Sequence, residues 1–261
     1  MSRSPRDAPV PPEVRAVADA VTTVFAGAFD QLAEWRSPIE QTLGTTPDMR
    51  PAALDDVVAD LVLPRLMPVP EHAGVPLFVG AGVIADGEIV RGRDVHFAWW
   101  LGPLEANPVL GSTTEPTRLD LSTRGYTEYL RDFRALEWYR IPATTRDAHV
   151  TGPYVDHLCT CDYILTLTMP VHAAIDGPEA GPRMVGVVGA DIAVRRLEHE
   201  LLSRFLEVPE PLALVNAERR VLLSTEPTLP VGQLAAPGSP AVECAATPFS
   251  VIVEPAASVS K

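Results

Sequence analysis

The chain has 261 residues, 46% of them hydrophobic, a formal net charge of -13 and a pI near 4.8. That length buries one large core or two modest ones. The acidic balance excludes a nucleic-acid surface, which needs clustered Lys and Arg against phosphates. Lys261 is the only lysine, a usage that reads as codon bias, and no basic run suggests an anionic membrane partner.

The first ten residues carry charges and prolines without an apolar h-region, so they do not read as a secretory signal. Nowhere does an apolar run approach the roughly 20 residues of a membrane helix. The expected location is therefore cytoplasmic. Cys159, Cys161 and Cys244 are an odd number in a long chain and do not suggest a disulfide framework. His157 beside Cys159-Thr-Cys161 lacks a second ligand pair for a tetrahedral metal. The reading is buried thiols, with no metal and no cofactor.

In chain order, residues 1–10 are expected as a disordered tail, and 11–70 as the N-terminal helices. Val14, Val17, Val21, Val24, Ala28, Trp35 and Ile39 recur at helical spacing over Pro11 to Thr42. Pro38 is expected to bend this helix near its end. Either the stripe covers the chain's own sheet, or Val14, Val17, Val21 and Val24 pair with a second copy to make a homodimer. Leu54, Val57, Val58, Leu61 and Val62 predict a second helix from Pro51 to Leu63, stopped by Pro64.

Residues 71–208 are expected to form the main module. Strands are predicted at Leu77–Ile84 and Phe97–Leu101, with a hairpin turn at Asp86-Gly87. Trp99 and Trp100 then face opposite sides of the sheet, and parity does not say which faces inward. Residues 103–116 read as loop, Arg118–Ser122 as a strand, and Tyr126–Trp138 as a helix ended by Arg140-Ile-Pro142. Val150–Val155, Tyr163–Val171 and Met184–Asp191 predict antiparallel strands, with Thr166 and Thr168 alternating with Leu165 and Leu167. Asp191 stands before a helix through Phe205, a place where Asp serves as a cap. Pro209 and Pro211 mark a boundary. Strands at 212–216, 219–224 and 249–253 then predict a small second module over 209–255, with 256–261 a tail.

Three blocks stand out: Trp138-Tyr139, Pro153-Tyr-Val-Asp156 and Gly186-Val-Val-Gly-Ala-Asp191. Their order and intervals resemble the ligand-binding module of double Cache (dCache) sensor domains. The resemblance implies an α+β fold: a long N-terminal helix packed on a PAS-like antiparallel sheet, followed by a smaller second α/β module. It also implies that Tyr139, Asp156 and Asp191 contact a ligand amine, and that Trp138 and Tyr154 line the site. Trp100, Tyr129, Arg131 and Arg134 are further candidates. Amino-acid-binding members carry an Arg two residues before the Trp to clamp the ligand carboxylate, and here that residue is Leu136. Arg131 and Arg134 are offset, so an amine without a carboxylate stands ahead of an amino acid.

The chemistry suits a small cation. One carboxylate at about 4 Å contributes on the order of 4 kcal/mol before desolvation, and each ring adds roughly 0.5 to 2 kcal/mol. Taken singly, Trp138 and Tyr139 also read as core, Asp156 as a turn residue and Asp191 as a cap. An enzyme is the competing class, but no nucleophile elbow, His-Glu-x-x-His helix or phosphate-binding glycine loop occurs. A scaffold with a decayed pocket is a third. The expected function is a sensor domain that passes its signal to a separate cytoplasmic regulator or transporter.

Overall fold

A computed structural model describes residues 11–46, 48–68, 75–104, 111–119, 132–156, 160, 162–175 and 181–254. Helix α1 (Pro12–Thr45) runs past the expected end at Thr42 and carries Pro38 inside it. Val14, Val17, Val21, Phe25, Leu32 and Ile39 are at most 3% exposed. The stripe read from the sequence is therefore core. Val14, Val17 and Val21 are taken up by packing within the chain, which removes them from the homodimer interface the same stripe could have formed.

The chain divides into two compact units, Met1–Ala28 with Val194–Lys261, and Phe29–Ala193. The boundary thus falls before Val194 and not at 209. The reason is helix α4 (Val194–Leu206), whose buried Val194, Leu197, Leu201 and Phe205 pack with the smaller unit's sheet. That sheet has the order β8-β7-β10-β9, with β7 (Leu212–Val215), β8 (Val221–Ser224), β9 (Ala241–Glu243) and β10 (Ser250–Val253). Phe25 meets Phe249 at 4.9 Å between ring centroids. Strand β9 is missed by the sequence reading because its side chains are exposed or half-buried and leave no apolar alternation.

The larger unit holds residues 29–45 of α1, α2 (Pro51–Leu66) and a six-stranded antiparallel sheet of order β3-β2-β1-β6-β5-β4. Its strands are β1 (Phe78–Val90), β2 (Arg93–Leu101), β3 (Thr117–Arg118), β4 (His149–Val155), β5 (Tyr163–Ala173) and β6 (Arg183–Ala193). Pro64 does not stop α2, because in a last turn its missing N–H removes a single bond.

The expected hairpin turn at Asp86-Gly87 is instead a bulge. The register between β1 and β2 shifts between Asp86 and Val90, where Gly87 and Glu88 take positive φ. The strand then resumes through buried Ile89 and Val90, and the chain reverses at Arg91-Gly92. Asp86 is consequently a strand residue.

Residues expected as one helix through Trp138 form two elements, with 126–131 outside the described residues. A 3-10 turn spans Phe133–Ala135, and α3 spans Glu137–Thr145. Leu136 between them is extended, and its carbonyl accepts the Tyr139 and Arg140 N–H groups that start α3. Pro142 does not end α3 but lies within it, leaving the Trp138 carbonyl without an intrahelical donor. The Thr168 hydroxyl fills that role at 2.8 Å and fixes α3 to β5. Of the strand expected at Arg118–Ser122, only Arg118 lies in a described strand, β3.

Candidate ligand-binding site

Sheet register assigns the faces. Thr166 of β5, Asp191 of β6, Gly80 of β1 and Leu101 of β2 share one row; Thr168, Gly189, Gly82 and Trp99 share the next. Directly opposed residues in antiparallel strands project to the same side. The bond from Thr168 to Trp138 shows that this is the side α3 covers. The alternate residues of β2, including Trp100 and His96, face α2, where His96 Nε2 lies 2.9 Å from Asp55. Trp100, a candidate from the sequence, therefore belongs to the helix-packed face, and Trp99 is the tryptophan on the site face.

Trp99 can lie over the sheet because glycines leave room for it. A Cβ on Gly80 would sit 3.0 Å from Trp99 Nε1, and one on Gly189 would sit 3.3 Å from Trp99 Cη2. The indole thus reaches from β1 to β6 in an apolar cluster with Ile84, Leu101, Phe133, Tyr139 and Val187. Phe133 stacks on half-buried Trp138 at 6.2 Å and 18°, and meets Tyr139 edge-on at 5.0 Å.

At one end of this face lie Tyr154, Asp156 and Asp191. Asp191 lies within β6, three residues before α4, so it is not the helix cap. Its Oδ1 accepts the Thr166 hydroxyl at 2.6 Å, and the Thr166 oxygen lies 2.6 Å from the Tyr154 hydroxyl. With its own proton directed to Asp191, the Thr166 oxygen accepts from Tyr154. Asp156 is 6% exposed, and its Oδ2 accepts Thr160 N at 2.7 Å and Thr160 Oγ1 at 2.9 Å. That geometry gives Asp156 a turn role in addition to any other. Burial is the main cause that pushes the Asp191 carboxyl up to about 8, against the Thr166 hydrogen bond and with the Asp156 charge adding to it.

The other end is balanced. The Tyr139 hydroxyl donates to Asp86 at 2.5 Å, and the Arg134 guanidinium pairs with Asp86 through two nitrogens while also meeting Asp94 at 3.3 Å. Arg134 also lies over the Phe133 ring at 4.8 Å. Burial and the bond to Asp86 both push the Tyr139 hydroxyl well above its ordinary range, and the carboxylates do the same to Arg134. Gly80, opposite Asp191, and Asp86 are six residues apart on β1, roughly 20 Å along an extended strand. Tyr139 was expected to act with Asp156 and Asp191, yet its hydroxyl is engaged at the far end of the face. Its ring, with Trp138 and Trp99, forms the apolar surface between.

Tyr129 and Arg131, as well as His157, Cys159 and Cys161, lie outside the described residues. Cys244 is a buried free thiol, which burial pushes up to about 12. Trp99, Thr166 and Asp86 are the members that sequence reasoning did not place in the site. The threonine alternation in β5 was a usable signal for Thr166. The smaller unit carries a groove of about 590 Å³ between α1 and α4, floored by Val17, Ala20, Val24, Leu201 and Val208. It contains no aromatic ring and none of the predicted site residues.

No protein-family model matches the chain, and no curated protein matches it. Solved structures do. The ligand-binding domain of the Pseudomonas aeruginosa PAO1 amino-acid chemoreceptor PctC, in complex with GABA, superposes with a TM-score of 0.56 at 17% identity, over 92% of this chain and 97% of that one. The chain has the double Cache fold. The Pseudomonas fluorescens chemoreceptor CtaA domain, in complex with L-valine, gives a TM-score of 0.56 at 15% identity, over 93% of this chain and 94% of that one. An extracellular histidine-kinase domain, soHK1S-Z6, gives 0.58 at 14%, over 93% and 90%. The α+β architecture expected from the sequence, a long N-terminal helix with two antiparallel sheets, is the one dCache domains have.

Proposed function

We propose that this chain is a sensor domain that binds a small organic amine without a carboxylate, and passes the signal to a separate protein. The observation that carries the reading is the contrast in charge on the site face. Asp191 and Asp156 share one buried end with hydroxyl partners. The arginine at the other end of this face, Arg134, is already paired with Asp86 and Asp94. An ammonium group compensates Asp191, and Trp99, Trp138 and Tyr139 offer ring faces to its alkyl or quaternary substituents. PctC and CtaA are described with GABA and L-valine, each carrying a carboxylate. In this chain Leu136 stands where the family places the carboxylate clamp, and Arg134 is committed elsewhere, which supports a decarboxylated ligand. The dCache fold and the lack of catalytic motifs support a binder over an enzyme.

Binding measured by calorimetry on matched pairs tests this. Each amine is expected to bind at least about tenfold more tightly than its parent amino acid, the difference set by an uncompensated carboxylate. Asp191→Asn is expected to weaken the amine by roughly a hundredfold, the loss of a charge-assisted contact. An amino acid that binds more tightly than its amine would overturn the ligand class. Unchanged affinity in a folded Asp191→Asn protein would overturn the site.

A further inference from the structure

The row of side chains that contains Asp191 continues one strand further. Thr151 of β4 pairs in register with Thr166, so the two threonines share the site face. Thr166 is satisfied by Tyr154 and Asp191. Thr151 is not. It is 8% exposed, and its Oγ1 is a buried atom without a hydrogen-bond partner among the described residues. A buried hydroxyl without a partner is costly and uncommon, so such a group calls for an explanation. No packing reason requires threonine here, since valine has nearly the same shape without the polar atom.

We infer that Thr151 is a ligand contact, and that the ligand is an amine carrying a second, neutral hydrogen-bonding group such as a hydroxyl or an amide. This rests on the proposed amine site at Asp191. Two strand spacings separate Thr151 from Asp191, about 10 Å across the sheet. With a hydrogen bond of roughly 2.8 Å at each end, a chain of about two or three carbons spans the remaining gap of roughly 4.4 Å. The second group is neutral because a hydroxyl cannot compensate a buried charge. Asp191 sets where the ammonium sits, and Thr151 selects among amines by what lies at the other end.

The test uses the full chain with 2-aminoethanol, 3-amino-1-propanol and 4-amino-1-butanol, each against the alkylamine of equal carbon number. One amino alcohol is expected to bind about tenfold more tightly than its alkylamine. Thr151→Val should abolish that preference while leaving alkylamine affinity unchanged. Asp191→Asn should weaken both classes together. Equal binding of alcohol and alkylamine, or a preference that survives Thr151→Val, would overturn the inference while leaving the amine site standing. Failure of every amine to bind the parent chain would remove the amine site, and this inference with it. A second readout is independent of any amine: without added amine, Thr151→Val should match or exceed the parent's melting temperature, because it removes an unpaired buried hydroxyl. A clear drop would show that the hydroxyl has a structural partner, and would overturn its role as a ligand contact.

Discussion

The two ends of the sheet face under α3 each carry a buried or half-buried carboxylate on a central strand, yet they are built for opposite purposes. At Asp86, arginine and tyrosine are already in place, so the charge is neutralised within the chain. At Asp191, the described partners are a threonine hydroxyl and the field of a second carboxylate. One arrangement closes a structure, and the other leaves a cation to be supplied. A carboxylate in a strand is thus informative only together with what stands opposite it.

The largest effect expected from that contrast is a pH dependence of binding. With the free Asp191 carboxyl at about 8 and an alkylammonium charged throughout, binding ionises the carboxyl and releases a proton. Amine affinity should rise about fiftyfold between pH 6 and pH 8 and then level off. Calorimetry in buffers of different ionisation enthalpy counts the proton, and Asp191→Asn should show neither the rise nor the release. Stability runs the other way. A carboxyl raised above its unfolded value favours the folded state fully at pH below about 4, and that contribution is lost as pH rises through about 8. The melting temperature of Asp191→Asn should therefore fall less than the parent's across this window.

A smaller effect is expected at the balanced end. Arg134→Ala leaves Asp86, with a side chain 12% exposed, without its cation. Discounted for the 43% exposure of Arg134, the loss should be about 1–2 kcal/mol by urea denaturation. The ratio of amine to amino-acid affinity should not change. If Arg134→Ala instead weakens only the amino acids, the arginine is a ligand clamp and the contrast between the ends fails. Smallest of all, Tyr139→Phe should cost about 1 kcal/mol of stability through the lost bond to Asp86. Amine affinity should stay within about twofold, because the hydroxyl is not at the Asp191 end and the ring is retained.

The sequence made the elements with strong periodicity legible. The stripe of Val14, Val17 and Val21 and the alternation around Thr166 and Thr168 have a clear spacing, and the run to Asp191 is a short continuous apolar stretch buried on both faces. What it could not show are features set by pairing. Trp99 and Trp100 are adjacent and chemically identical, and only the register of β2 on β1 decides which lies over Gly80 and Gly189. Asp86-Gly87 has the composition of a hairpin turn, but burial of Ile89 and Val90 carries the strand onward, and the glycine serves a bulge. Arg134 looked like an offset clamp because its partners, Asp86 and Asp94, are 48 and 40 residues away. The Tyr154, Asp156 and Asp191 group was legible because the dCache resemblance supplied the long-range pairing that periodicity lacks.

Pro142 and Thr168 together fix how the helix above the site can move. The proline frees one carbonyl, at Trp138, and a single hydroxyl from β5 takes it at 2.8 Å. Sliding α3 along the strand would break this bond and leave the Thr168 hydroxyl and the Trp138 carbonyl without each other. The Tyr139 bond to Asp86 of β1 and the contact of Glu137 with His149 of β4 hold α3 at two further points. Trp138 and Tyr139 are carried by a helix tied to three strands, so a load placed on the rings passes into the sheet.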